Sequence, residues 1–241
     1  MEKPTIVLIH GAGGGGWEWR LWERIFVAGG WSVAAPNLQP GEIGIAATTV
    51  SDYVAQIQNW LDTDGLPPFV VGASMGGLLA AHAVQQITVA GLLLVNSLPP
   101  LGVAGWPLAP MRFPAVISWP AARVQESLRE LPDYDSDLDG WFPETWRAES
   151  GAVMNALYRG VPVAAPDVPC LVMSGELDDD VPPAVAESLA DVFDADFLCL
   201  ASTSHLGILL GRRAQFAASM ALEWIECTWA EQVGLDTFDS V

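Results

Sequence analysis

Six short apolar segments recur along this chain, and the stretches between them are amphipathic. The apolar segments are TIVLI, SVAAP, PFVVGA, AGLLLVN, PCLVMSG and DFLCLA, and each is almost continuously apolar rather than alternating. Such runs are typical of strands that are buried on both faces of a parallel sheet. The amphipathic stretches are residues 17–28, 50–61, 75–85, 182–192 and 213–229. Alternating strands and helices predict an α/β fold with a mostly parallel central sheet and helices on both faces.

The composition supports one large folded domain and argues against two classes of partner. Hydrophobic residues make up 51% of the 241 residues and charged residues only 16%, which is ample material for a buried core. The 29 acidic residues outnumber the 10 basic ones, so the formal charge is -19. A surface this acidic repels phosphate backbones and anionic lipid head groups. No apolar run approaches the roughly 18 residues of a membrane-spanning helix. We therefore expect neither a nucleic-acid partner nor a membrane partner.

The cysteines and the amino-terminal segment bear on the cellular compartment. Cys170, Cys199 and Cys227 lie in apolar surroundings without C-x-x-C spacing, so we expect reduced, buried thiols rather than metal ligands or a disulfide. The opening residues MEKPTIVLIHGAG lack the apolar segment and the cleavage site of a secretory signal. We therefore expect a cytoplasmic protein.

The alternation of strand and helix breaks once, between Leu98 and about Val168. No strand is predicted there, and ten prolines are interleaved with four tryptophans. Linkers do not carry so many large apolar side chains, so the pattern favours a helical lid, residues 98–167, inserted above the carboxyl edge of the sheet. The core of the fold would then comprise residues 1–97 and 168–241. A loosely packed surface excursion is the alternative.

The segment FVVGASMGGLLAAHAV places the pattern G-x-S-x-G between a predicted strand and a predicted helix. In this context the pattern forms a nucleophile elbow, a turn so sharp that side chains two positions either side of the serine would collide. Gly72 and Gly76 avoid that collision, and Gly77 lets the helix pack closely. The turn exposes a hydroxyl at a helix amino terminus, where the helix dipole favours negative charge. Ser74 is therefore the candidate nucleophile.

A serine nucleophile needs a base, and the chain has three histidines. His205, in LASTSHLGILL, follows the last predicted strand, where an open α/β sheet gathers its ligand-binding groups. His82 lies inside the elbow helix as an ordinary helix residue, and His10 is better placed to brace the loop after the first strand. We therefore predict His205 as the general base.

The base needs an orienting carboxylate, and the chain order in such a site is serine, acid, histidine. The segment GELDDDVPP offers four acids, of which Asp178 stands where the chain leaves its strand. We favour Asp178, and the alternatives, in order, are Asp180, Asp179 and Glu176. The end of the preceding strand is excluded as a source of the acid, because LLLVNS contains no carboxylate.

The glycine tract in IVLIHGAGGGGWEWRLW follows the first strand directly. A tetrahedral acyl intermediate carries an oxyanion that requires preorganised N–H donors. One donor is expected from Met75, the residue after the nucleophile, and the other from Ala12, with Gly13 as the near alternative. A tract without side chains would leave these N–H groups uncovered and let a substrate carbonyl approach. A merely flexible glycine loop is the other interpretation.

The segment HGAGGGGWEW resembles the H-G-A-x-x-G-x-W-x-W segment of the plant methylesterase and hydroxynitrile lyase group and of its bacterial carboxylesterase relatives, within the α/β-hydrolase superfamily. VGASMGG, GELDDDVP and TSHLG resemble the elbow, acid loop and histidine loop of the same superfamily, so the likeness covers essentially the whole chain. The resemblance implies an α/β-hydrolase fold and places Ala12 on the oxyanion-hole alanine. Trp17 and Trp19 fall on the aromatic positions that open the first helix.

Two departures from the resemblance favour ester hydrolysis over cyanohydrin cleavage. The lyases typically carry Thr where this chain has Gly11, and Lys directly after the histidine, where this chain has Leu206. Within the wider superfamily, the serine at position 74 also argues against epoxide hydrolases and haloalkane dehalogenases, which attack with an aspartate.

The expected function is that of a serine carboxylesterase without a metal or organic cofactor. Ser74 would form an acyl-enzyme with small to medium, apolar or aromatic esters, His205 would move the proton, and Asp178 would fix the imidazole tautomer. The sequence leaves the oligomeric state open. Alternatives are carbon–carbon bond hydrolysis, acyl transfer or perhydrolysis with the same triad, a non-catalytic ligand receptor, and a purely structural protein. The residues expected to border the substrate, unless they serve only packing, are Gly13, Trp106, Phe113, Trp119, Trp146 and Leu206.

Overall fold

A parallel six-stranded sheet organises the fold. The computed structural model describes residues 2–62, 64–106, 112–119, 124–143 and 145–234. Its strands are β1 (Ile6–Ile9), β2 (Val33–Ala34), β3 (Phe69–Ala73), β4 (Gly91–Val95), β5 (Val116–Ile117), β6 (Glu149–Ser150), β7 (Cys170–Leu177) and β8 (Asp196–Ser204). Six of them form one sheet in the order β2-β1-β3-β4-β7-β8, and all neighbouring strands are parallel. The α/β fold predicted from the alternating pattern is confirmed.

The helices in the described residues are α1 (Arg20–Ala28), α2 (Val50–Leu61), α3 (Met75–Ala83), α4 (Val124–Arg129), α5 (Gly151–Arg159), α6 (Pro183–Phe193), α7 (Gly207–Leu210) and α8 (Ala214–Gln232). Five of them, α1, α2, α3, α6 and α8, follow the predicted amphipathic stretches closely. A 3-10 turn, Gly16–Trp19, precedes α1 where the sequence indicated one continuous stretch. None of the helices in the described residues combines the length and the apolar character needed to cross a membrane.

Two hydrophobic cores lie on opposite faces of the sheet. On β4 the alternation of side chains sends Leu92 and Leu94 into one core and Leu93 and Val95 into the other, and all four are at most 1% exposed. The first core is completed by α2, α3 and α6, and the second by α1, α7 and α8. Each fully buried aliphatic side chain contributes about 1.5–3 kcal/mol, so burial on both faces explains why the strand segments are continuously apolar.

The segment between β4 and β7 lies outside the main sheet. It contains α4, α5, a 3-10 turn and one antiparallel pair, in which Val116 faces Ser150 and Ile117 faces Glu149. No strand was predicted in this helical insert, so the short pair is a feature that the sequence analysis missed. Each strand is two residues long, which is too short for a periodic pattern to be visible in the sequence. Residues 107–111 and 120–123 of this insert, and the tail after residue 234 that was assigned to the core, lie outside the described residues.

The cysteines are unpaired, but only one of them is buried. Cys170 lies at the start of β7, and burial raises the pKa of its thiol to about 12. Cys199 and Cys227 are exposed, so the expectation of three buried thiols is wrong for these two. Cys199 lies on the strand at the edge of the sheet, where an apolar sequence environment does not guarantee burial.

Candidate active site

The serine of the G-x-S-x-G segment lies on a strained turn between β3 and α3. Ser74 has φ 51° and ψ -120°, a backbone conformation that is costly for a residue with a side chain. The turn is possible because glycines flank it on both sides. A Cβ atom at Gly76 would lie 2.3 Å from the carbonyl oxygen of His10, and one at Gly72 would lie 2.5 Å from the carbonyl oxygen of Gly76. The local sequence therefore forces the hydroxyl out at the carboxyl edge of the sheet.

Three side chains from three separate loops form one hydrogen-bonded chain at this edge. The Nε2 atom of His205 lies 3.1 Å from Oγ of Ser74, and its Nδ1 atom lies 2.8 Å from Oδ2 of Asp178. The three loops follow β3, β7 and β8, and parallel strands bring their carboxyl ends to one edge. The arrangement provides a hydroxyl, an imidazole and a carboxylate in sequence.

Of the four acids that the sequence left open, Asp178 is the one bonded to the imidazole. Its second oxygen, Oδ1, accepts hydrogen bonds from the backbone N–H groups of Asp180 at 2.9 Å and Val181 at 2.8 Å. Glu176 instead accepts a hydrogen bond from the N–H of Ser202 at 2.7 Å. Asp178 is buried, with 3% of the residue exposed. Its carboxyl group cannot rotate without losing both backbone donors.

The electrostatic environment of His205 favours its protonated form overall. Burial lowers the pKa of His205, but its hydrogen bond to Asp178 and the charges of Asp178, Asp180 and Glu18 raise that pKa above its ordinary value. An imidazole with a raised pKa binds a proton more readily while remaining neutral above that pKa. Because Nδ1–H donates to Asp178, the neutral ring presents an unprotonated Nε2 to the hydroxyl of Ser74.

Two polar side chains that the sequence analysis did not assign hold the histidine loop. The amide of Asn96, at the end of β4, donates to the carbonyl of His205 at 2.9 Å and accepts from the N–H of Gly175 at 2.9 Å. The carboxyl group of Asp133, from the insert, accepts from the N–H of Ser204 at 3.1 Å and from its hydroxyl at 2.6 Å. Both side chains are at least 95% buried, so they fix the backbone on either side of the imidazole.

Two buried carboxyl groups accept hydrogen bonds from backbone N–H groups of the loop after β1. Glu18 accepts from the N–H of Gly11 at 3.1 Å, and Glu149 accepts from the N–H of Gly13 at 3.3 Å. Between them, the N–H of Ala12 donates no hydrogen bond to any described residue. Burial raises the pKa of Glu18 to about 7, although its bond with Gly11 acts in the opposite direction.

The unoccupied N–H groups correspond to the two donors expected for an oxyanion. The N–H of Met75, the first residue of α3, likewise has no hydrogen-bond partner among the described residues. Gly13, the alternative second donor, has its N–H directed to Glu149. Ala12 borders the same cavity as Ser74 and His205.

The glycine tract is filled by protein groups rather than left open to a substrate. A Cβ atom at Gly13 would lie 2.6 Å from the ring of Trp119, and one at Gly14 would lie 2.2 Å from the carboxyl group of Glu18. The backbone at Gly13 also has φ +73°, which disfavours any other residue. These two glycines therefore make room for side chains of the protein, which differs from the expected role of admitting a substrate carbonyl.

A cavity of about 360 Å³ opens onto the candidate catalytic groups. Three of the six expected pocket residues line it: Trp119, Trp146 and Leu206. Further apolar lining comes from Val95, Leu98, Met154, Val181, Ile208 and Leu209. Three expected residues are not among its described lining residues: Gly13, Trp106 and Phe113. The last two pack with ring centroids 5.4 Å from Tyr158, which itself borders the cavity.

The other two histidines have different environments. His10 is 1% exposed; its Nε2 accepts from the N–H of Leu38 at 2.9 Å and its Nδ1 lies 2.8 Å from the carbonyl of Gly11. Burial lowers the pKa of His10 to about 4, so it is a neutral brace for the loop. The Nδ1 atom of His82 is buried without a partner among the described residues.

A metal ion would compete for ligand atoms with the hydrogen-bonded chain of Ser74, His205 and Asp178. Asp178, Asp180 and His205 offer ligand atoms within 4.8 Å of one another, and they are the only such group in the described residues. Nδ1 of His205 is already hydrogen-bonded to Asp178, and the other oxygen of Asp178 accepts two backbone N–H groups. A cation here would have to displace the bond that orients the imidazole.

Comparisons with known proteins agree with this arrangement of the fold. Residues 6–219 match the model described as the alpha/beta hydrolase family. No curated protein matches the sequence. A pyrethroid hydrolase from Sphingobium faniae JZ-2 superposes with TM-score 0.65 at 21% identity, over 92% of this chain and 97% of that one.

Two further solved structures are similar. A monoacylglycerol lipase from Paleococcus ferrophilus has TM-score 0.70 at 18% identity, over 95% of this chain and 97% of that one. A methylesterase from Arabidopsis has TM-score 0.68 at 13% identity, over 95% of this chain and 100% of that one. At these identities the likeness establishes a common fold.

Proposed function

The chain belongs to the alpha/beta hydrolase family, and we propose that it is a serine carboxylesterase that hydrolyses small to medium carboxylic esters through an acyl-enzyme. The observation that carries the proposal is the position of His205, with Nε2 3.1 Å from the hydroxyl of Ser74 and Nδ1 2.8 Å from Asp178. The similar structures named as a pyrethroid hydrolase, a monoacylglycerol lipase and a methylesterase support an ester as the substrate class.

Acylation begins with attack of the Ser74 hydroxyl on the ester carbonyl. Nε2 of His205 accepts the hydroxyl proton as the new carbon–oxygen bond forms, and Asp178 stabilises the imidazolium without taking the proton. The carbonyl oxygen becomes an oxyanion, for which the N–H groups of Ala12 and Met75 are the unoccupied donors. Each such donor lowers the barrier by roughly 3–4 kcal/mol.

Collapse of the tetrahedral intermediate breaks the bond to the alcohol. His205 returns the proton to the departing oxygen, so the alcohol leaves neutral and the acyl group stays on Ser74. Water then adds to the acyl-enzyme with the same imidazole as base, and the carboxylic acid is released. The balance of atoms needs only the ester and water, so no cofactor is assigned to the reaction.

The cavity indicates the kind of ester. A volume of about 360 Å³ with apolar walls fits a substrate of modest size whose acyl or alcohol part is aliphatic or aromatic. Asp180 borders the cavity, and its negative charge disfavours polyanionic substrates.

The test compares Ser74→Ala with Ser219→Ala, in which an exposed serine on α8 is replaced. With p-nitrophenyl butyrate we expect kcat to fall by about 10⁶-fold for Ser74→Ala and to stay unchanged for Ser219→Ala. A fluorophosphonate should label the parent protein and Ser219→Ala, and peptide mapping should locate the adduct on Ser74. Turnover by Ser74→Ala, or a parent protein that binds esters without turnover, would refute the proposal.

A further inference from the structure

Glu149 has contacts that go beyond anchoring its own strand. Its residue exposure is 3%, and its two oxygens accept three hydrogen bonds from different parts of the chain. Oε1 accepts from the hydroxyl of Tyr53 at 2.7 Å and from the N–H of Ser150 at 2.7 Å, and Oε2 accepts from the N–H of Gly13 at 3.3 Å. Burial and the Glu149 charge raise the pKa of Tyr53, so its hydroxyl remains a donor. The acid therefore joins β6 to the loop after β1.

The same part of the insert holds the loop through a second residue. The backbone N–H of Arg147 donates to the carbonyl of Gly13 at 2.7 Å, and its guanidinium donates to the carbonyls of Gly14 at 3.2 Å and Leu38 at 2.7 Å. Glu149 and Arg147 thus bind the N–H and the carbonyl of Gly13, respectively. Both peptide planes next to that glycine are fixed by the insert.

The order of the peptide groups shows what this arrangement does. The peptide that joins Gly11 to Ala12 carries the N–H proposed to bind the oxyanion. The peptide before it is held by Glu18 through the N–H of Gly11, and the peptide after it is held by Glu149 through the N–H of Gly13. The carbonyl of the Gly11–Ala12 peptide accepts from the N–H of Gly14 at 3.3 Å and lies 2.8 Å from Nδ1 of His10. Glycine resists peptide rotation weakly, so the two acids on the neighbouring peptides add to these contacts in keeping the direction of the Ala12 N–H.

We propose that Glu149 is a positioning residue for the oxyanion hole, which it completes from the insert by binding the N–H of Gly13 and so directing the N–H of Ala12 at the substrate carbonyl. The inference rests on the proposed esterase mechanism. Glu149 does not touch the reacting atoms and acts only through the loop. Its effect is therefore expected in the transition state, where the oxyanion forms, rather than in substrate binding.

Glu149→Gln separates this role from a general structural one. The glutamine amide turns its oxygen to the side where Tyr53 and Ser150 both donate hydrogen bonds. Its NH₂ group then faces the N–H of Gly13 and repels it. The anchoring of β6 is preserved while the acceptor for the loop is lost. Tyr53→Phe is the matched control, because it removes one anchoring bond and leaves the Gly13 acceptor in place.

We expect Glu149→Gln to lower kcat for p-nitrophenyl butyrate by about 10–100-fold, less than loss of a whole oxyanion donor, with KM unchanged. Tyr53→Phe should keep the parent kcat. An alkyl trifluoromethyl ketone provides a second readout, because the Ser74 oxygen adds to its carbonyl, the proton passes to His205 and the resulting oxyanion occupies the same hole. Its inhibition constant should rise in Glu149→Gln by the factor by which kcat/KM falls.

The outcomes are distinguishable. If Glu149→Gln keeps the parent kcat and inhibition constant while Ser74→Ala is inactive, this inference is wrong and the esterase proposal stands. If Ser74→Ala retains turnover, the esterase mechanism itself fails. If Glu149→Gln does not fold, Glu149→Asp serves instead, because the shorter side chain withdraws from Gly13; a parent-like kcat and inhibition constant in that variant would equally overturn the inference.

Discussion

Replacing Asp178 with asparagine should inactivate the protein through the tautomer of one imidazole. In the parent, Oδ1 of Asp178 accepts two backbone N–H groups and Oδ2 accepts Nδ1–H of His205. The asparagine amide can place its oxygen on only one of these sides. Turning that oxygen toward His205 would leave two N–H donors facing an NH₂ group, at a cost of about 2–6 kcal/mol. The oxygen therefore stays with the backbone, and the NH₂ group faces the imidazole.

An NH₂ group next to Nδ1 requires an unprotonated nitrogen there. The proton of the neutral ring then moves to Nε2, which donates to the hydroxyl of Ser74 instead of accepting its proton. The base is present but in the wrong tautomer. We expect kcat to fall by about 10⁴-fold, which corresponds to about 5 kcal/mol of transition-state stabilisation.

The assay is the steady-state hydrolysis of p-nitrophenyl butyrate at pH 8, with folding checked by circular dichroism. Asp179→Asn is the matched control, because this neighbouring acid is exposed and accepts no hydrogen bond from the described residues. It should stay within about twofold of the parent, as surface substitutions usually do. A folded Asp178→Asn protein with a kcat within tenfold of the parent would refute the argument that two backbone donors fix the tautomer.

Three further predictions concern charge, packing and helix capping. Asp180→Asn removes a charge that raises the pKa of His205. Because His205 must be neutral to act as the base, the acid limb of the pH–kcat profile should move to lower pH, and a shift to higher pH would contradict this prediction. Gly76→Ala puts a Cβ atom 2.3 Å from the carbonyl oxygen of His10, so chemical denaturation should show a loss of at least about 3 kcal/mol or no folded protein, and parent-like stability would be the contrary result. Thr49→Ala removes the hydroxyl that accepts from the N–H of Asp52 in the capping box of α2, while the backbone N–H of residue 49 can still donate to Asp52. It should lower the free energy of unfolding by about 1 kcal/mol without changing kcat, and an unchanged free energy of unfolding would show that the cap contributes nothing.

Local sequence patterns predicted the parts of the fold that depend on neighbouring residues. The helix α2 was expected at residues 50–61 and spans them, because Thr49 caps it and its apolar positions share one face. The position of Ser74 on a strained turn follows from two glycines that no other residue type could replace. Parallel strands then bring the loops of distant segments to one edge of the sheet. For this reason the sequence could predict that Asp178 and His205 lie close to Ser74 without any knowledge of their contacts.

The side chains that hold these loops were not predicted, because their partners are far away in the sequence. Glu149 meets Gly13 across 136 positions, and nothing near either residue indicates the pairing. Glu18 offered a weak signal, since a charged residue between two tryptophans in WEW is unusual for a stretch that becomes buried. The glycine tract was interpreted as open space, whereas Trp119 and Glu18 fill it, and only the packed structure distinguishes these two uses of glycine.

The insert is hydrogen-bonded to the core at two loops that border the candidate active site, and this limits how the protein can evolve. Asp133 holds the end of β8 just before His205, and Glu149 holds the loop after β1. A chimera in which residues 98–167 were exchanged would replace the walls of the cavity and both acceptors together. New specificity would therefore come more readily from single substitutions at wall residues such as Trp119 or Met154 than from exchange of the whole segment.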